Sequence, residues 1–231
     1  MKPLQNFFYG LKLMPVLIFH LFVVQFFTWF GLFALWIYAT PAITRYIFKT
    51  TDAGSGNFES GIMWVGYCFA FYSLFAAFLS FFIPMANRKF GILRVHAFSL
   101  LVGSAGLLAL FAVHNKWALF IPFACIGIGW SSISNIPYKI VASLAGETKI
   151  DFFMSVFGFS VVIPQILAAT MLGYITIHLL NNNTLYTILF GGASMMVASA
   201  IMFMISLNGD SGKDEVLPLN DSTTEKGQEG Y

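Results

Sequence analysis

Gly127–Ile140 reads GIGWSSISNIPYKI. It sits inside an apolar run long enough to cross a bilayer, yet it sets Trp130, Ser131, Ser132, Ser134 and Asn135 ahead of Pro137. In hydrocarbon each hydroxyl and amide needs a partner, and a proline removes a backbone donor and loosens the carbonyl one turn earlier. The stretch therefore reads as a kinked transmembrane helix with a polar face, Pro137 being the kink. Two uses of that face stay open. Ser and Asn commonly hold membrane helices together, and intramembrane polar groups also face bundle interiors and aqueous cavities.

Working outward, the chain has six such runs, near residues 13–40, 61–84, 95–113, 118–142, 153–179 and 185–207. Each reaches the roughly twenty helical residues that a bilayer demands. The short alternating strands of a membrane β-barrel are absent from the sequence. Of 231 residues, 58% are hydrophobic and only 10% charged, which excludes an ordinary soluble domain. The fold class expected is an all-α membrane protein of six transmembrane helices. The first run follows Lys2 and Lys12 as a signal sequence would, but it is too long for one and reads as an uncleaved helix.

Net charge is +2, too little to argue for nucleic acid. Six of the ten acidic residues crowd into the tail at 208–231, which is polar, aperiodic and expected to be disordered. Placing the amino terminus in the cytoplasm puts Lys2, Lys12, Arg88, Lys89, Arg94, Lys139 and Lys149 inside and Arg45, Lys49 and Lys116 outside. That asymmetry predicts both termini on the cytoplasmic side. Residues 50–60, TTDAGSGNFES, read as an outer loop. Cys68 and Cys125 lie inside apolar runs, so they read as small hydrophobes; no metal site and no cofactor is expected.

On the first span Gln25, Trp29 and Trp36 fall within about 40° of one another on a helical wheel. A carboxamide flanked by indoles suits a sugar, because amides pair with hydroxyls in two directions and aromatic faces cover pyranose C–H surfaces. Interfacial anchoring is the simpler use of Trp36. The fifth span offers Ser155, Ser160, Pro164 and Gln165, a second proline kink beside an amide that acts either as a polar contact or as a helix staple. No acidic residue lies within a span, and His20 is the candidate proton relay, weighed against a helix-end histidine bonded to backbone or headgroups. No Ser, His and Asp set and no paired carboxylates point to an enzyme.

Three stretches together carry a resemblance: Val24–Thr44 (VQFFTWFGLFALWIYATPAIT), Gly127–Ile140, and FMSVFGFSVVIPQILAA from Phe153. In this order they resemble the carboxy-terminal half of a major facilitator superfamily carrier. More narrowly they are similar to the sucrose and maltose permease group, the bacterial relatives of solute carrier family 45. The likeness runs from about residue 10 to residue 207. Pro84–Arg94 (PMANRKFGILR) loosely echoes the superfamily's basic inner-loop motif, with Asn87 where that motif has Asp.

The resemblance implies that the six spans correspond to helices seven to twelve of a carrier, built as a three-plus-three inverted repeat, with the first and fourth spans lining the central cavity. Gln25, Trp29, Ser131, Ser134, Asn135 and Gln165 would then contact substrate, and Pro137 and Pro164 would serve gating. Pro137, Tyr138, Pro164 and Gln165 match the group. Ala39, Thr40 and Pro41 stand where plant members have an acidic DTD triplet, and Gly158 where relatives have Asn. The implied function is proton-coupled symport of a disaccharide such as sucrose or maltose by alternating access, in a bacterial inner membrane. Such carriers have twelve helices. The expected partner is thus an amino-terminal six-helix half, residues 1–12 being the end of the linker to it and the chain a fragment or one product of a split gene. The alternatives are a self-sufficient homodimeric six-helix carrier and a membrane protein without transport activity.

Overall fold

The computed structural model describes residues 14–210, with no side chain described at 146–149, 209 or 210. The linker expected at 1–12 and most of the tail expected at 208–231 lie outside the described residues. Among the described residues six helices are long and apolar enough to cross a membrane: Val16–Tyr46, Gly56–Ser80, Ile92–Ala112, Trp117–Ala145, Ile150–His178 and Thr184–Asn208. They are the first to sixth spans below.

Several ends differ from the sequence expectation, each for a local reason. The first span runs on to Tyr46 although Pro41 lies inside it. A proline so near a helix end forfeits one backbone bond, and the buried Ala42, Ile43 and Thr44 carry the helix onward. The second span starts at Gly56, inside the expected outer loop, because Ser55 caps it by accepting the Phe58 N–H at 3.2 Å, with Glu59 in the first turn. That span stops at Ser80. Residues expected to finish it belong instead to a short helix, Ile83–Phe90, with Pro84 in its first turn and Gly91 at φ +84° after it.

The helix is interrupted just before Pro137. Helix Phe120–Ile133 ends, Ser134 and Asn135 form a break, and helix restarts at Ile136 with Pro137 where no N–H is required. From there helical backbone continues from Ile136 to His178 without an assigned gap. It is nonetheless folded back on itself, because the rings of Tyr138 and Phe157 lie 5.6 Å apart. A straight helix would separate them by about 28 Å. The fourth and fifth spans are therefore antiparallel, joined by a bent helical turn where the sequence suggested a loop.

The packing has an internal order. The first span packs on the fifth and sixth, the fourth on the second and third, and the third on the sixth. Exchanging each span with the one three places along the chain maps this set of pairs onto itself. Polar contacts repeat it: Ser104 Oγ donates to the Gly192 carbonyl at 3.0 Å, and Ser199 Oγ donates to the Ala97 carbonyl at 2.9 Å. Donor and acceptor of the second bond each lie 95 residues from their counterparts in the first. Glycines allow the close crossings. A Cβ on Gly31 would stand 2.5 Å from the Gly191 carbonyl oxygen, and one on Gly103 would stand 3.1 Å from the Gly129 Cα. The first–sixth and fourth–third crossings thus use the same small-residue device.

The second span is the least buried of the six, followed by the fifth. Leu74, Phe78, Ile166 and Tyr174 are exposed on these two.

Candidate functional site: an aromatic cluster over an unpaired amide

Where the first and fourth spans meet, three indoles close on one another. Trp130 lies edge-on to Trp29 at 5.7 Å and to Trp36 at 5.6 Å, while Trp29 and Trp36 are 6.0 Å apart. Tyr72 of the second span completes the group, 6.4 Å from Trp130. These edge-to-face arrangements are the preferred geometry of aromatic pairs. The seven-residue spacing of Trp29 and Trp36 puts both on the face that meets the fourth span.

One turn from Trp29 sits Gln25, with an exposure of 0%. Neither its Nε2 nor its Oε1 has a hydrogen-bond partner, and the indole N–H of Trp29 also lacks one. Burying polar groups unpaired costs about 1–3 kcal/mol each. The first span is unbroken helix here, so its backbone has no use for the amide. Gln25 and Trp29 therefore present donors and an acceptor that the protein itself leaves unsatisfied.

The polar residues of the fourth span are placed differently. Ser131 is buried, and its hydroxyl donates to the Ile128 carbonyl at 2.8 Å. Asn135 is half-buried, and its Nδ2 lies 2.7 Å from the Ser131 carbonyl and 3.2 Å from Ser80 Oγ on the second span. The reason is visible in the backbone. At the break the Asn135 N–H turns to the Ser132 carbonyl at 3.1 Å, so the Ser131 carbonyl loses its usual donor and the side-chain amide replaces it. Asn135 serves the helix break and the second span, not the aromatic cluster. Ser134 and Gln165 are exposed, and Pro164 is buried within continuous helix. Of the residues singled out in the sequence, the structure joins Trp29, Trp36 and Trp130, sets Gln25 on the helix face beside them, and leaves Ser134 and Gln165 at the bundle surface.

His20 is exposed near the start of the first span. Among the described residues the buried imidazole is His96, in the first turns of the third span. It has an exposure of 0%, its Nδ1 lies 2.7 Å from Ser132 Oγ, and its Nε2 has no partner. Its one sequence signal was the serine-rich fourth span that supplies the partner. A second feature was also missed. A pocket of about 310 Å³ at the opposite end of the first span is lined by Thr40, Thr44, Arg45 and Thr184, with Arg45 Nη1 donating to the Asn182 carbonyl at 3.0 Å. Thr184 Oγ1 is buried there without a partner. Thr40 and Thr44, four residues apart, carry the polar stripe past Trp36; placing the helix end at residue 40 hid it.

No family model matches the chain, and no curated protein sequence matches it.

Proposed function

We propose that the chain is the carboxy-terminal half of a sugar carrier, with the Trp29, Trp36 and Trp130 cluster and the Gln25 amide as its share of the substrate site. The observation that carries this reading is Gln25, whose buried amide has no partner one turn from a cluster of edge-to-face indoles. Sugar hydroxyls satisfy amide donors and acceptors together, and indole faces cover the C–H surfaces between them. The substrate class is a disaccharide such as sucrose or maltose.

The exchange of spans three places apart supports the same reading, since inverted three-plus-three repeats with a site at their interface are a common plan in carriers. Trp29 and Trp130 sit on corresponding spans, at the interface of the two repeats. Alternating access needs a second wall, and the sparsely buried second and fifth spans offer a face for an amino-terminal six-helix half. A coupling cation, a proton in this reading, completes the cycle; His96 is the buried histidine among the described residues, and His20 stays the candidate nearest the membrane edge.

Uptake of labelled sucrose and maltose is the test, in cells expressing the chain with an amino-terminal half encoded beside it and in cells expressing the chain alone. Uptake above the vector control only in the paired cells is expected. Uptake by the chain alone would replace the half-carrier reading with an autonomous one, and absence from both would reject sugar transport.

A further inference from the structure

The pocket of about 310 Å³ lies where the end of the first span meets the starts of the second and sixth. That volume is at the lower end of the range of about 300–1,000 Å³ typical of sites for small molecules. Its walls mix polar and apolar groups, with Thr40, Arg45 and Thr184 set against Pro41 and Phe58. It shares no residue with the tryptophan cluster, yet it lies on the same face of the first span. Thr40 comes one turn after Trp36 and eleven residues after Trp29, which brings it within about 20° of Trp29 on the helical wheel. The helix is unbroken from Val16 to Tyr46, so one face carries Gln25, Trp29, Trp36 and Thr40 in line.

Two groups in the pocket have bonding capacity that the protein leaves open. The Thr184 hydroxyl is buried without a partner. The start of the sixth span does not need it, because Asn183 Oδ1 already accepts the N–H groups of Leu185 and Tyr186 at 3.1 and 3.2 Å. The hydroxyl of Thr44, by contrast, donates to the Thr40 carbonyl at 2.9 Å. Arg45 gives one of its five N–H donors to the Asn182 carbonyl at 3.0 Å, and that bond to a neutral acceptor fixes the guanidinium at the edge of the pocket.

Charge does not single out an ion. With Arg45, the adjoining chain carries Lys49, Asp52 and Glu59, two charges of each sign. Open donors and an acceptor opposite a proline and a phenyl ring suit a neutral polyol, whose hydroxyls take the bonds while its C–H face covers the apolar wall.

We propose that this pocket is a second sugar subsite, which holds one pyranose ring of a disaccharide one turn beyond the tryptophan cluster. Thr184 and Arg45 bond the ring hydroxyls, and Pro41 and Phe58 meet the C–H face. That the ligand is a sugar rests on the carrier function proposed above; the pocket adds a station for the substrate outside the cluster.

Protection of a cysteine from maleimide tests this, in the full chain in detergent carrying Cys68→Ala, Cys125→Ala and Thr51→Cys, the last at an exposed lining residue. Sucrose or maltose should slow labelling in a saturable way. Thr184→Val should raise the half-protecting concentration about tenfold. Thr184→Ser, which keeps the hydroxyl, should stay near the parent. Labelling that neither sugar slows, or full protection in Thr184→Val, would overturn the proposal. So would protection by acetate or phosphate that the sugars do not give, since the pocket would then be an anion site. Uptake of the same sugars by the carrier assembled with its amino-terminal half separates the two readings. Uptake without protection removes the subsite and leaves the carrier; protection without uptake leaves the subsite and removes the carrier.

Discussion

The first and fourth spans are counterparts in the exchange that relates the two halves of the bundle, and both contribute indoles where they meet, Trp29 and Trp36 from the first and Trp130 from the fourth. Each also carries a carboxamide, and the two amides have opposite fates. Asn135 fills a vacancy left by the break before Pro137 and reaches Ser80 on the neighbouring span. Gln25, on an unbroken helix, has nothing to fill and is buried with both polar atoms unpaired. Polarity alone therefore does not assign a role within a membrane span. What assigns it is whether the backbone or a neighbour already uses the group's bonding capacity.

Five substitutions set the two sides against each other. The largest effect is expected at Gly31→Val, where the new side chain would meet backbone at 2.5 Å. Unfolding in detergent should show a loss of about 3 kcal/mol, the upper part of the overpacking range. Gly103→Val, at the corresponding crossing, should lose less, because its closest contacts at 3.1 and 3.2 Å include the mobile end of Met195. A Gly31 variant as stable as the parent would break the equivalence of the two crossings.

Asn135→Leu should cost about 1–3 kcal/mol, because the Ser131 carbonyl then loses its donor in a buried setting. Its effect on sugar binding should follow only from lost stability. Binding weakened at full stability would move Asn135 into the site. Smallest are Ser104→Ala and Ser199→Ala, each expected to cost about 0.6 kcal/mol, the average for a hydrogen bond between membrane helices. Their losses should match each other, since the two bonds are reciprocal; a marked inequality in unfolding free energy would weaken the internal symmetry.

Much of the fold was legible because membrane burial imposes long apolar runs, and the helix break at Ser134 and Asn135 followed from Pro137. Span ends were less so. The reach of the first span past Pro41 depends on tertiary burial of Ala42 and Ile43, and the early start of the second depends on one capping serine, Ser55. The site was legible in part. Wheel geometry placed Gln25, Trp29 and Trp36 on one face, but the direction in which Ser131 and Asn135 bond depends on which span lies beside them. His96 was hidden for the same reason: nothing in its own neighbourhood announces that Ser132 lies 2.7 Å away.

The contrast between the two amides is tested most directly by Gln25→Leu, a substitution close in size that removes the unpaired amide. Melting temperature and disaccharide uptake should be measured together on the carrier assembled with its amino-terminal half. A melting temperature at or above that of the parent is expected, because no bond is lost and a desolvation cost disappears. Uptake should fall about tenfold or more, the equivalent of about 1.4 kcal/mol of substrate interaction. A lowered melting temperature with uptake unchanged would show that Gln25 holds the bundle together and that the sugar site lies elsewhere.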